Sequence, residues 1–153
     1  MRRVLFVCSG NLCRSPFAEY LLQKAAAERG LKNIFAESAG TMALEGNPAA
    51  SKAVAEAKLW ELDLRHHRAR LLTRNMIEDA ELVAVMEKHH YYSALALAPG
   101  ESEKIILLGE LLPDRESPEI EDPYGQGDEY FISVFTDIAR AVEKLLERLE
   151  EYR

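Results

Sequence analysis

The sequence predicts an α/β fold: a parallel sheet with helices on both faces. Three observations predict it. Short apolar runs of strand length recur along the chain, separated by stretches with helical spacing. Strands that alternate with helices in this way form parallel sheets whose two faces are both covered. The first apolar run also ends in a turn, Cys8 to Pro16, that leads directly into a helix start. Such a strand-to-helix turn is the unit from which parallel sheets are built.

Arg3 to Val7 is a short apolar run ending at Cys8 and reads as a buried strand. Ser15-Pro16 reads as a helix start, with Ser as N-cap and Pro at the first helical position. The helix continues through "FAEYLLQKAAAERG", with Ala18, Leu21, Leu22 and Ala25 on one face and Gly30 as its stop. "NIFAES", Asn33 to Ser38, is a second strand, and Asn47-Pro48 opens a helix running to about Trp60. "ELVAVM", Glu81 to Met86, is a third strand, and a small helix lies between Glu87 and Ala98. "KIILL", Lys104 to Leu108, is the fourth strand. The last helix starts at about Asp128 and carries Phe131, Val134, Phe135, Ile138, Val142, Leu145 and Leu149 at core spacing. Before it lies "LPDRESPEIEDPYGQGDE", Leu112 to Glu129, rich in Pro, Gly and acid and without periodicity. Long ordered loops of this kind are often functional. In open parallel sheets ligands bind beyond the carboxyl ends of the strands, near the point where strand order reverses. The turn after the first strand is therefore the favoured place for a site.

The bulk properties narrow the function. A chain of 153 residues fits one domain, 1–153, with a real core. A formal charge of −7 argues against a nucleic-acid surface, which needs a basic stripe. It leaves room for a local anion site, since a few oriented amides and one Arg suffice. No apolar run is long enough for a signal peptide or a membrane span, so no membrane insertion is expected. The expected compartment is the cytoplasm, where cysteines stay reduced.

The two cysteines of the chain, Cys8 and Cys13, fall within the first turn, "VLFVCSGNLCRSPFAE". Zinc needs about four ligands supplied in characteristic pairs. Cys-x4-Cys has no second pair, and the four histidines occur as two adjacent couples, His66-His67 and His89-His90, that face opposite ways if extended. No metal and no cofactor is expected. A structural disulfide would close a very short loop and stabilise little. The remaining reading is a nucleophile over an anion cradle. Arg14 follows Cys8 at Cys-x5-Arg spacing and precedes the helix start. A loop of that length can aim successive backbone N–H groups into one concavity, at the positive end of the following helix. Arg14 can close the ring with a planar fork matched to two phosphate oxygens. Gly10 and Asn11 suit the backbone angles such a turn needs. The features that bind an anion also favour a thiolate, so Cys8 is expected to be charged and nucleophilic.

The string "VCSGNLCRSPFAE" resembles the phosphate-loop motif of the low-molecular-weight protein tyrosine phosphatase family, bacterial type. "ESAG" at Glu37 to Gly40, "HRAR" at His67 to Arg70 and "DPYG" at Asp122 to Gly125 match its later motifs in order and spacing, over nearly the whole chain. The resemblance implies a three-layer sandwich with a four-stranded parallel sheet in the flavodoxin-like order 2-1-3-4. It also implies hydrolysis of phosphotyrosine in proteins by a two-step, metal-free phosphocysteine mechanism. Cys8 is then the nucleophile, Asp122 the general acid and later base, and Arg14 with the loop Ser9, Gly10, Asn11, Leu12 and Cys13 the phosphate site. Ser15 is placed to donate a hydrogen bond to the Cys8 sulfur. Asn11, Ser38 and His67 resemble the network that supports the loop. Cys13 is a small buried hydrophobe or, as the resemblance implies, the partner of Cys8 in a reversible disulfide under oxidant. Glu121 and Asp128 are the rivals of Asp122 for the acid role.

The substrate wall is expected from Tyr124 on one side and from Met42 and Leu44 on the other. Many eukaryotic relatives carry Trp in the second position, so here that wall is apolar without being aromatic. Relatives that hydrolyse phosphoarginine carry Thr where this chain has Leu12, which favours phosphotyrosine over the alternative of a protein-arginine phosphatase. Arsenate reductases of related fold need further cysteines, which this chain lacks. An inactive phosphate-binding module would need neither Cys8 nor Asp122. The resemblance implies a tyrosine-phosphorylated protein as partner, with a bacterial tyrosine kinase as the characteristic one.

Overall fold

A computed structural model describes residues 1–151. Four parallel strands, β1 (Arg2–Cys8), β2 (Ile34–Gly40), β3 (Leu82–Val85) and β4 (Ile105–Leu107), form a sheet in the order β2-β1-β3-β4. The order and the parallel register are those expected. β1 is central and wholly buried from Val4 to Cys8, which is why its sequence is a continuous apolar run and not an alternating one. Alternate residues still part to the two faces. Val4, Phe6 and Cys8 join the core under helices α1 (Arg14–Glu28), α2 (Ser51–Lys58) and α5 (Asp128–Glu151). Leu5 and Val7 join the smaller core under α3 (Arg74–Asp79) and α4 (Lys88–Leu97). The larger core is locked by aromatic stacking of Phe17 on Phe135, with ring centroids 4.1 Å apart.

The elements depart from the sequence expectation in four places. α1 begins at Arg14, preceded by Cys13, and no side chain caps it. Ser15 is therefore not the N-cap and Pro16 is the third helical residue; the Ser15 hydroxyl is turned to the Cys8 sulfur instead. α2 begins at Ser51, not Asn47, because Pro48 is held in an antiparallel bridge with Arg68. α3 was not anticipated, since six residues are too few for a visible period; Thr73 caps it by accepting from the Met76 amide at 3.3 Å. Leu108 leaves the fourth strand for a 3-10 turn, Leu108–Leu111. Gly109 in that turn is in close contact with the long loop: a Cβ there would lie 2.1 Å from the Pro118 carbonyl oxygen. Among the described residues no helix is long and apolar enough to cross a membrane.

Candidate active site

Chain order fixes the place of the site. From β1 the chain moves to β2 on one side, and β3 lies on the other, so sheet order reverses at the carboxyl end of β1. Cys8 is the last residue of that strand, and the loop from Ser9 to Cys13 runs from it into α1. A cavity of about 210 Å³ opens there, lined by Cys8, Ser9, Gly10, Leu12, Cys13, Arg14, Met42, Asp122 and Tyr124.

The loop is built by pulling its carbonyls outward. The Cys8 oxygen accepts from the Thr41 amide at 2.9 Å, the Ser9 oxygen from the Met42 amide at 2.9 Å, and the Leu12 oxygen from the Ala50 amide at 3.0 Å. The Asn11 oxygen accepts from Nε2 of the buried His67 at 2.8 Å. A peptide group is planar with N–H opposite C=O. Each carbonyl engaged on the outside thus leaves the amide of the following residue facing the concavity, at the uncapped positive end of α1. Asn11 takes φ 57°, a left-handed angle its short polar side chain tolerates. Gly40, at the end of β2, permits the close packing: a Cβ there would lie 2.4 Å from the Ser9 oxygen and 2.8 Å from the Asn11 nitrogen.

Asn11 organises the support. Its Nδ2 donates to Ser15 Oγ at 2.8 Å and to Ser38 Oγ at 2.9 Å, and its Oδ1 accepts from the Arg70 amide at 2.9 Å. Asn11 thus supplies one hydrogen to the Ser15 oxygen, and the hydroxyl's own hydrogen goes to Cys8 Sγ, 2.9 Å away, in preference to the Ala39 carbonyl at 3.5 Å. That bond stabilises negative charge on the sulfur. Ser38 in turn donates to Glu19 at 2.5 Å. Burial pushes the Glu19 carboxyl up to about 7, against the opposing effects of the Ser38 bond and of Arg70. The Cys13 thiol, also buried, is pushed up, first by burial and then by the nearby charges of Cys8 and Asp122. It is packed as a small hydrophobe.

Arg14 is 1% exposed. Nη1 donates to Glu87 Oε2 at 2.5 Å and to the Ile120 carbonyl at 2.7 Å, and Nη2 lies 3.6 Å from Asp122 Oδ2. Asp122 is exposed beside the cavity, and its Oδ1 accepts from the Tyr124 amide at 3.0 Å, closing a local turn around Pro123. The loop carrying it is anchored from beneath. Arg115 donates to the Ser117 carbonyl at 3.0 Å and to the Glu119 carbonyl at 2.8 Å and pairs with Asp137 on α5, while Tyr130 bonds Glu121. Of the rival acids, Glu121 is thus engaged away from the cavity, and Asp128 faces Lys52 at 3.5 Å. Neither lines the cavity.

Met42 and Tyr124 line the cavity and are 70% and 60% exposed. Leu44, expected beside Met42, is equally exposed but does not line the cavity. Two residues escaped the sequence reading. Glu87 grips Arg14, and His90 bonds the Ser9 hydroxyl. Glu87 stands just beyond the carboxyl end of β3, the neighbour of β1, and that position was the available signal. His89 and His90 lie on a helix, not a strand, and with Glu87 they form a compact His/Glu group. His90 is committed to hydrogen bonds on both ring nitrogens.

The family model described as low molecular weight phosphotyrosine protein phosphatase matches residues 3–153. The low molecular weight protein-tyrosine-phosphatase Wzb of Escherichia coli K12 is 37% identical over 95% of this chain and 94% of its own. The crystal structure of a low molecular weight protein tyrosine phosphatase from T. tengcongensis superposes with a TM-score of 0.89 at 36% identity, covering 97% of this chain and 99% of that one. A YwlE arginine phosphatase from Geobacillus stearothermophilus superposes with a TM-score of 0.88 at 28% identity, covering 99% and 95%.

Proposed function

The chain belongs to the low molecular weight phosphotyrosine protein phosphatase family and is a protein-tyrosine phosphatase; from that premise we propose that Cys8, Arg14 and Asp122 carry its reaction. The observation that supports this most is the meeting of all three in one cavity, with the Ser15 hydroxyl 2.9 Å from the Cys8 sulfur. Cys8 Sγ attacks phosphorus and the bond to the tyrosyl oxygen breaks. Asp122 gives its proton to the departing phenolate. Asp122 then takes a proton from water, which attacks the phosphocysteine; the sulfur–phosphorus bond breaks, and phosphate and the thiolate are released. The inward amides of the loop and the Arg14 fork hold the three equatorial oxygens through both displacements. Ser15 eases the second step by stabilising the leaving sulfur. Glu87 holds Arg14 in its working plane, and Asn11, Ser38 and His67 hold the loop in shape.

Tyr124 and Met42 form the two walls for the phenyl ring, one aromatic and one aliphatic. Leu12 lines the cavity without a hydroxyl, which supports phosphotyrosine over phosphoarginine. We further propose that the enzyme works in the cytoplasm, where its thiols stay reduced, on a tyrosine-phosphorylated protein of the kind a bacterial tyrosine kinase presents.

Two measurements test this reading. Asp122→Ala is expected to lose at least about 100-fold in kcat with a phenyl phosphate. It should lose far less with a nitrophenyl phosphate, whose leaving group needs no proton. Equal losses on both would remove Asp122 from the acid role. Side by side, phosphotyrosyl proteins should be hydrolysed faster than phosphoarginyl ones; the opposite order would overturn the argument from Leu12.

A further inference from the structure

His90 is 0% exposed, in a region where the reaction as described does not use it. Its ring is bound on both sides. The Glu87 backbone N–H donates to Nδ1 at 3.0 Å, reciprocating the bond that Glu87 accepts as N-cap of α4. A nitrogen that accepts carries no proton, so the proton of the neutral ring sits on Nε2. Nε2–H then donates to Ser9 Oγ at 2.8 Å. The charged and titratable groups around the ring are Arg14, Glu87 and His89, the last with its ring centroid 4.0 Å away. Burial first, and then Arg14 and His89, hold the imidazole neutral, down to about 3. The polarity of this contact is therefore fixed. Ser9 is the acceptor, and among the described residues nothing accepts its own hydroxyl hydrogen, in a loop residue that lines the cavity.

We propose that His90 is a positioning residue for substrate: by donating to Ser9 it presents the Ser9 O–H as a side-chain donor to a phosphoryl oxygen held in the loop. This rests on the reading of the loop as a phosphate cradle. Ser9 would thus add one donor to the ring of backbone amides, aimed by a residue 81 positions away in sequence.

The experiment uses inorganic phosphate as a competitive inhibitor of aryl phosphate turnover, in wild type, Ser9→Ala, His90→Asn and the double variant. Asn at 90 keeps an oxygen where Nδ1 accepts from Glu87 but has no group that reaches Ser9. Competitive inhibition of the wild type is required by the cradle reading, and its absence would sink that reading and not merely this one. Given it, each single variant is expected to raise the phosphate Ki about 3- to 10-fold, and the double variant no further, because both changes remove the same donor. A Ser9→Ala Ki equal to wild type, or a double variant whose effects multiply, would overturn the proposal. The imidazole nitrogens give a second readout by NMR. An Nε2–H tautomer in the wild type is expected, and an Nδ1–H tautomer or an imidazolium at neutral pH would contradict it. Should His90→Asn fail to fold, Ser9→Ala and the tautomer still decide.

Discussion

Glu19 ends a hydrogen-bonded chain that runs through Ser38, Asn11 and Ser15 to the Cys8 sulfur. Its ionisation has a calculable effect on stability. The folded protein holds the Glu19 proton up to about 7, whereas the unfolded chain releases it near 4.5. The proton is bound more tightly in the folded state, so this group's contribution is fully present below pH 4.5 and is lost as pH rises through 7. Glu19→Gln, which cannot ionise, is expected to remove that slope and to gain on the order of 2 kcal/mol over wild type at pH 8. Denaturant melts at several pH values check it. Parallel curves for the two proteins between pH 4 and 8 would refute it. None of this was readable from the sequence, where Glu19 is simply a polar residue in a helix. Ser15 shows the same limit from the other side. Ser-Pro before an apolar helix is a sound cap signal, but here the hydroxyl lies 2.9 Å from the Cys8 sulfur and caps no helix amide. That Cys8 and Arg14 share one cavity was legible because Cys-x5-Arg is local. Glu87 and His90 were not, because they reach the loop only through strand pairing.

Among the elements, β1 and α5 carry the fold and the end of β2 carries the loop. Phe135 on α5 is fully buried and stacks on Phe17 of α1, the helix that begins at the site. Phe135→Ala should cost about 3–5 kcal/mol in chemical denaturation. A loss below about 1 kcal/mol would mean that α5 is not packed as described. Gly40→Ala tests the other contact. The added methyl meets backbone of the loop, not a flexible side chain, so the loop has to shift. The expected result is a loss of kcat/KM of at least about 10-fold; wild-type kcat/KM would show that the loop tolerates displacement. Strands and the long terminal helix were visible in advance because apolar runs and the 3.6-residue period extend over many residues, while the sheet order followed from the family resemblance. α3 and the true start of α2 were not visible, since one is a single capped turn and the other depends on a bridge to residue 68.

For the molecule as a whole, the net charge of −7 sits uneasily with an anionic substrate. The conflict is resolved locally: Arg14 is buried in the lining of the cavity, while Asp122 stands exposed beside it and Glu121 precedes it on the same exposed loop. Phosphotyrosyl peptides with lysines beside the phosphotyrosine should accordingly show higher kcat/KM than peptides flanked by glutamates. The gap should narrow as salt is raised. A preference for acidic peptides, or one indifferent to salt, would argue that the surface charge plays no part. Composition gave the charge, but only the folded chain shows a buried Arg14 in the cavity lining with an exposed Asp122 beside it.

The central claim is that phosphate passes through Cys8, and one measurement meets it directly. Wild type is mixed with excess phosphotyrosyl peptide, quenched in acid during turnover, digested and analysed by mass spectrometry. The account predicts one phosphoryl group on the peptide that contains Cys8, absent from Cys8→Ala, which does not turn over. A phosphoryl group on another residue, or none at all alongside undiminished turnover by Cys8→Ala, would contradict it.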